Sequence, residues 1–288
     1  MTNYTAKMRE TLKKLRTNLY PIYGKGETEA IIKIIFHHLK GWNTVDMIMH
    51  EPEPLSSFIK GEVEKILNRL LNHEPIQYIT GEARFHGMEF SVNPSVLIPR
   101  PETEELVDII TDTVGERPDL RVLDIGTGSG CIAISLARSL KFPHVSALDL
   151  SSEAILTARL NAERLKVKIN FILADILSAS LQKEFDIIVS NPPYIDESEK
   201  KDMDDNVLLH EPHNALFVPD SNPLIFYKRI TLLSQNALLP GGYLFFEINP
   251  RHASQLKKFI ASGGFSEVEI IKDSFGKDRF IKAHKPCL

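Results

Sequence analysis

Arg121-Val122-Leu123-Asp124-Ile125-Gly126-Thr127-Gly128-Ser129-Gly130-Cys131 decides how this chain is read. Val122, Leu123 and Ile125 form an apolar run of strand length, and glycines at every second position then break it. Apolar residues resume at helical spacing over 131–140. Strand, glycine loop and helix in that order open a doubly wound α/β sheet.

The same alternation continues outward from this unit. Strands are expected at 145–148, 169–173, 185–190, 243–248, 267–271 and 279–283, with helices at 153–165 and 223–237. Leu106, Val107 and Ile110 belong to a helix that has Pro101 in its first turn. The last two strands have no helix between them, so they should pair antiparallel at one edge of the sheet. Upstream, Met8, Leu12, Leu15 and Leu19 recur at helical spacing up to Pro21. Ile31, Ile34, Ile35 and Leu39 mark a second helix, Asn43 starts a short third, and 55–70 carries a fourth. His37-His38 lies on a solvated face, because adjacent helical residues point about 100° apart and cannot easily share one ion. Met88, Phe90 and Val92 alternate with polar residues after a turn at His86-Gly87, which reads as a hairpin. The expected organisation is a helical bundle at 1–75, a hairpin connector at 76–100 and an α/β domain at 101–288.

Composition excludes several classes of protein. The 288 residues are 43% hydrophobic and 25% charged, enough apolar material for a full core. Net charge is −4; residues 1–77 hold 11 basic against 9 acidic side chains, and the remainder 23 against 29. Neither balance marks a polyanion binder. Two cysteines, Cys131 and Cys287, suggest neither a disulfide framework nor a zinc site, so a reducing cytoplasm is expected. Lys7, Arg9, Lys13, Lys14 and Arg16 interrupt the apolar residues of the first segment, unlike a secretion signal. No apolar stretch approaches the roughly 20 residues that span a bilayer.

The chemistry sits at the strand ends. Asp124, Gly126, Thr127, Gly128, Ser129 and Gly130 bring a backbone open to close approach, beside the donors and partial positive charge of a helix start. Asp149 ends the next strand, 19 residues after Gly130, where a carboxylate can accept both hydroxyls of a ribose; Leu150 follows it. A role only in capping the helix near Ser151-Ser152 is the plainer alternative. The glycine pattern is G-x-G-x-G rather than the dinucleotide G-x-G-x-x-G. It lacks a clear pyrophosphate cradle and better fits a nucleoside with an amino-acid tail, which is S-adenosylmethionine. Asp175 and Ile176 stand where an adenine edge and face would be held. At the end of the fourth strand, Asn191-Pro192-Pro193-Tyr194 stops the ladder with two prolines. It presents an amide, prolyl carbonyls and an aromatic ring, a group suited to a planar NH2; an Asx-Pro turn is the plainer reading.

Together these motifs resemble the class I (Rossmann-like) methyltransferases, with a seven-stranded sheet, that alkylate planar NH2 groups. More narrowly, the chain resembles the release-factor glutamine methyltransferases of the PrmC/HemK family. The likeness runs through 74–81, 85–87, 96–104, 124–130, 190–195, 210–212, 215–216 and 278–279. Segment 96–104, Val-Leu-Ile-Pro-Arg-Pro-Glu-Thr-Glu, is far more specific than Asn-Pro-Pro-Tyr alone. The resemblance implies transfer of methyl from S-adenosylmethionine to the glutamine amide of the Gly-Gly-Gln motif in class 1 peptide chain release factors, leaving S-adenosylhomocysteine. It implies Asn191, Pro192 and Tyr194 as catalytic residues, with Pro193 also against the substrate and Asn191 also near the cofactor. No metal and a cytoplasmic monomer are expected, and the helices are expected to dock the release factor because the catalytic motif is too generic to choose one protein's glutamine. Departures fall at Asn249, where a glycine is expected, and at Ser274, where Asp-Leu is usual.

Three alternatives stay open at this level. An adenine amino-methyltransferase would share Asn-Pro-Pro-Tyr but should carry a basic, aromatic-rich recognition region. Residues 1–77 offer only Tyr4, Tyr20, Tyr23, Phe36, Trp42 and Phe58, several at core spacings. A nicotinamide oxidoreductase lacks its third fingerprint glycine here, and a docking module without catalysis would not need both motifs intact.

Overall fold

The computed structural model describes residues 8–182 and 184–287. Tyr4 and Lys7 lie outside them. The chain divides into two compact units, one comprising residues up to Gly81 together with Asp204–His210, the other Glu82–Met203 and Glu211 onwards.

The first unit is helical. Helix α1 (Met8–Lys40) is two helices joined at Gly24, whose φ of 70° and ψ of 175° are not helical. Pro21 therefore does not end the segment; it sits inside the first helix, and the break falls three residues later where glycine tolerates positive φ. Helix α2 (Thr44–His50) is capped by Asn43, whose Oδ1 accepts from the Val45 and Asp46 amides. Helix α3 (Ser57–Leu71) starts on Ser56 and buries Ile59, Val63, Ile66, Leu67 and Leu70. These pack with Leu12, Leu15, Leu19, Ile32, Ile35 and Phe36 of α1 into one core. The following residues correct the sequence expectation: α4 (Ile76–Thr80) is a short helix, and the extended connector begins only at Glu82. Gly81, at φ 75°, closes that helix in the left-handed region.

The second unit opens with a hairpin, β1 (Glu82–Phe85) and β2 (Met88–Ser91), turned by His86 and Gly87. There follow α5 (Pro101–Val114), β3 (Arg121–Ile125), α6 (Cys131–Ser139), β4 (His144–Asp149), α7 (Ser152–Arg164), β5 (Ile169–Leu173) and β6 (Phe185–Ser190). A small parallel pair, β7 (Ile195–Asp196) and β8 (Phe217–Val218), brackets α8 (Asp205–His210), which belongs to the first unit. The chain ends with α9 (Ile225–Ala237), β9 (Leu238–Glu247), α10 (Ala253–Ser262), β10 (Ser266–Lys272) and β11 (Asp278–His284). Strand β9 begins earlier than its apolar run: Leu238 pairs with Phe185, and a register shift near Pro240-Gly241-Gly242 precedes the Tyr243–Ile187 pair.

Seven strands form one sheet in the order β10-β11-β9-β6-β3-β4-β5. It is parallel from β9 to β5, and β11 is antiparallel to both its neighbours, as expected for the last two strands. Neighbouring residues on the central strands face opposite sides, and both sides are covered. Val122, Ile187 and Phe245 join the helices α5 and α6 in one cluster, while Leu123, Ile188 and Phe246 join α9 and α10 in another. Each such side chain contributes about 1.5–3 kcal/mol by leaving water. The chain runs outward from β3 to β5 and then returns to β6 on the other side of β3. This reversal places a crevice at the carboxyl ends of β3 and β6. Ser190 Oγ bridges the two ends, donating to the Ile125 carbonyl at 2.6 Å. Among the described residues no helix is long and apolar enough to cross a membrane.

Candidate active site

The loop after β3 is shaped by its glycines and by local hydrogen bonds. Gly126, Gly128 and Gly130 have φ of 75°, 54° and 82°. The Gly126 and Thr127 amides both donate to the Leu148 carbonyl, at 2.8 and 3.1 Å. Gly128 N donates to Asp149 Oδ2 at 2.8 Å, and Ser151 N to Asp149 Oδ1 at 2.9 Å. Asp149 thus grips the loop and the start of α7 at once, while Ser151 itself caps that helix. Asp149 also faces the crevice, which is lined by Gly126, Gly128, Leu150, Asp175 and Ile176 as well. Ile125 and Leu148 supply an apolar floor, and Asp175 Oδ1 accepts from Leu177 N.

Four members of the motif stand behind the crevice rather than in it. Asp124 is fully buried, and its Oδ2 accepts from Thr127 Oγ1 at 2.6 Å. Burial pushes the Asp124 carboxyl up to about 7, against the lowering effect of the Thr127 and Ala133 hydrogen bonds. Thr127 and Ser129 are buried, and the Ser129 carbonyl accepts from Asn161 Nδ2. A β-carbon on Gly130 would lie 3.1 Å from both Ala158 Cβ and Ile134 Cδ1, so close packing of α6 on α7 needs glycine there. Burial likewise pushes the Cys131 thiol up to about 12.

Across the crevice, Asn191, Pro192 and Pro193 line the same space. Asn191 Nδ2 donates to Glu247 Oε2 at 2.9 Å and approaches Thr103 Oγ1 at 3.4 Å. Thr103 Oγ1 donates to the same Glu247 oxygen at 2.7 Å, and Tyr194 Oη donates to Glu247 Oε1 at 3.1 Å. Tyr194 is not among the lining residues; its ring packs against the core cluster beneath α9. Burial, then the neighbouring Glu247 charge, raises the Tyr194 hydroxyl above its ordinary range. Glu247 is itself buried, which raises its carboxyl, while Thr103, Tyr194 and Arg279 pull it back down. Asn249 Nδ2 donates to the Tyr194 carbonyl at 3.1 Å, so the position where glycine was expected braces this strand end. Ser274, the other departure, donates through N and Oγ to Glu105.

Sequence reasoning passed over Thr103 and Glu247 as site residues, although both lay in segments already singled out. Their signal was available: Glu247 is a carboxylate ending a run of otherwise buried apolar residues. Ser95, Val96 and Leu97 also line the crevice, as do Asn214 and Ala215. Glu211 holds these two segments together, accepting from Arg100 Nη2 at 2.6 Å and from the Ile98 amide at 3.3 Å.

A crevice at the switch point of this sheet, with a glycine loop and a strand-end carboxylate on one side and Asn-Pro-Pro on the other, defines a class I methyltransferase that depends on S-adenosylmethionine. An apolar floor between two carboxylates and an open backbone fits a nucleoside with an amino-acid tail. Comparison with known proteins agrees: residues 103–218 match the methyltransferase small domain, and residues 10–81 match the PrmC N-terminal domain. The chain belongs to the release factor glutamine methyltransferase family. It is 47% identical to the release factor glutamine methyltransferase of Bacteroides thetaiotaomicron over 94% of this chain and 98% of that protein. It is 44% identical to that of Flavobacterium psychrophilum over 92% and 95%. A methyltransferase from Pyrococcus furiosus shares the fold, with a TM-score of 0.52 at 19% identity over 77% of this chain and 99% of its own.

Proposed function

We propose that this enzyme transfers a methyl group from S-adenosylmethionine to the side-chain amide nitrogen of the glutamine in the Gly-Gly-Gln motif of class 1 peptide chain release factors. The observation that carries this reading is the single crevice lined by Gly126, Gly128 and Asp149 on one side and Asn191, Pro192 and Pro193 on the other. When bound, the donor supplies an electrophilic methyl group on a sulfonium sulfur. Asp149 holds the ribose hydroxyls with lone pairs left over from its two backbone amides. Gly126 and Gly128 leave the chain open to the amino-acid tail, and Asp175 with Ile176 takes the adenine.

An amide nitrogen is a poor nucleophile, because its lone pair is delocalised into the carbonyl. Asn191 Oδ1 and the Pro192 carbonyl accept its two N–H groups, which fixes the nitrogen in place and favours the positive charge it develops. No strong base is needed before transfer, since the proton can leave to water afterwards. Tyr194 acts through its position beneath the strand end. The helical unit docks the release factor, since an Asn-Pro-Pro site by itself accepts many planar amines. The enzyme works as a cytoplasmic monomer, without metal and without nucleic acid as substrate.

Labelled S-adenosylmethionine, offered with release factor or with DNA, tests the reading. Peptide mass spectrometry should find the methyl group on the Gly-Gly-Gln glutamine. Label on adenine, or on another residue, would sink it.

A further inference from the structure

An asparagine amide can be turned over, exchanging its oxygen and its NH2 with little change of shape. Only one orientation can receive a planar amine, the one with Oδ1 toward the crevice. From the geometry we infer that Glu247 and Thr103 are positioning residues that set the orientation of the Asn191 amide. The inference rests on the proposed acceptor chemistry, and it goes beyond it by naming what makes Asn191 an acceptor.

Glu247 is only 2% exposed, so its carboxylate cannot turn to water for partners. Its Oε2 accepts from Thr103 at 2.7 Å and from Asn191 Nδ2 at 2.9 Å, and its Oε1 from Tyr194 at 3.1 Å. Thr103 spends its proton on Glu247 and so faces Asn191 with lone pairs at 3.4 Å. Both neighbours of Nδ2 are therefore acceptors. Turning Asn191 over would set its oxygen against the Glu247 carboxylate in a dry site and leave Nδ2 in the crevice. Losing such a charge-assisted bond and burying the mismatch disfavours the flip by roughly 10- to 100-fold. The three partners come from α5, the end of β6 and the end of β9, and each is held by its own element.

The other charged and titratable groups around Glu247 do not compete for Asn191. The nearby Arg279 places Nε 3.2 Å from Asp273. Tyr227 donates to the backbone carbonyl of Glu247, not to its side chain. Glu102 adds a repulsive charge to the Glu247 carboxylate but has no bond to it. Asn191 and Tyr194 thus share one carboxylate, so the strand end is fixed on both sides of the Pro-Pro pair.

The test measures kcat and KM for release factor, and Kd for S-adenosylmethionine, on the full-length enzyme. Glu247→Leu removes both acceptor oxygens and should lower kcat roughly 10- to 100-fold, with Kd and KM within about 3-fold. Glu247→Gln keeps one oxygen for Asn191 and should recover most of that loss. In an Asn191→Ala background Glu247→Leu should cost less than about 2-fold, because nothing remains to orient. A Glu247→Leu kcat within about 2-fold of wild type would overturn the inference, as would its full penalty persisting beside Asn191→Ala. Should Glu247→Leu fail to fold, Thr103→Val decides by the same cycle, with an expected loss of roughly 3- to 10-fold in the wild-type background only. A wild-type enzyme that methylates a different planar amine refutes the proposed substrate, and the cycle is then read on that amine.

Discussion

The two walls of the crevice are built in opposite ways. The cofactor wall is built from one pair of neighbouring strands: Thr127 bonds to Asp124 three residues away, Ser151 to Asp149 two residues away, and Gly128 to Asp149 across 21 residues. The acceptor wall is assembled from afar, with Asn191 meeting Glu247 across 56 residues and Thr103 across 88. The first wall is mostly backbone held in unusual conformations; the second is side chains held by one buried carboxylate. The first wall is fixed once β3 and β4 pair and their helices form, and it serves any reaction that uses the same donor. A remote wall depends on the whole sheet being in register, and it is there that one reaction is distinguished from another.

Substitutions on the two walls should separate their roles. Asn191→Ala should have the largest effect, lowering kcat by roughly 100- to 1000-fold while Kd for S-adenosylmethionine stays within about 3-fold. Loss of cofactor binding in calorimetry would mean that the walls are not separable. Asp149→Ala should do the reverse, weakening S-adenosylmethionine by roughly 10- to 100-fold in the same titration and leaving KM for release factor unchanged. Gly130→Ala should cost about 1–2 kcal/mol in chemical denaturation, from the positive φ and the crowding against Ala158 and Ile134. An unchanged midpoint would show that α6 and α7 can part without cost.

Asp124 is tested by a slope with pH rather than by a loss at one pH. Its carboxyl stands near 7 when folded, above its ordinary value, so the stability it gives is present at acid pH. That stability is lost as pH rises from the ordinary carboxylate range toward about 7. Asp124→Asn should remove this slope, which is at most about 1.4 kcal/mol per pH unit, and leave melting flatter between about pH 5 and 7. Parallel melting curves for the two proteins would refute the assignment.

The same contrast explains what the sequence disclosed. The strands Arg121–Ile125 and Phe185–Ser190 fall where their apolar runs do, because burial on both faces leaves little freedom, and the edge strand Ile169–Leu173 follows its apolar run although it is only partly buried. Residues Gly126, Gly128 and Asp149 could be placed by spacing alone, since each stands at the end of one of two successive strands. The break at Gly24 was misplaced at Pro21, because proline ordinarily stops a helix, whereas here it is carried within the first helix and the left-handed Gly24 is the true punctuation. Strand β9 was read short because Pro240-Gly241-Gly242 looks like a loop, although a register shift absorbs it. Glu247 and Thr103 escaped notice for a different reason. A carboxylate at the end of an apolar run marks Glu247, but nothing local names its partner, Thr103, 144 positions away.

Helix α8 carries a consequence for the order in which the protein can be completed during synthesis. His210 Nε2 meets the Asn72 carbonyl across 138 residues, and Asp204–His210 belongs to the unit that residues up to Gly81 begin. The amino-terminal unit emerges first from the ribosome, yet one of its pieces is encoded beyond the fourth parallel strand of the sheet. It cannot reach its final form until nearly three quarters of the polypeptide has been made, well after the rest of that unit is free to fold. A gene fragment ending at Gly81 would therefore express a bundle lacking one of its own helices.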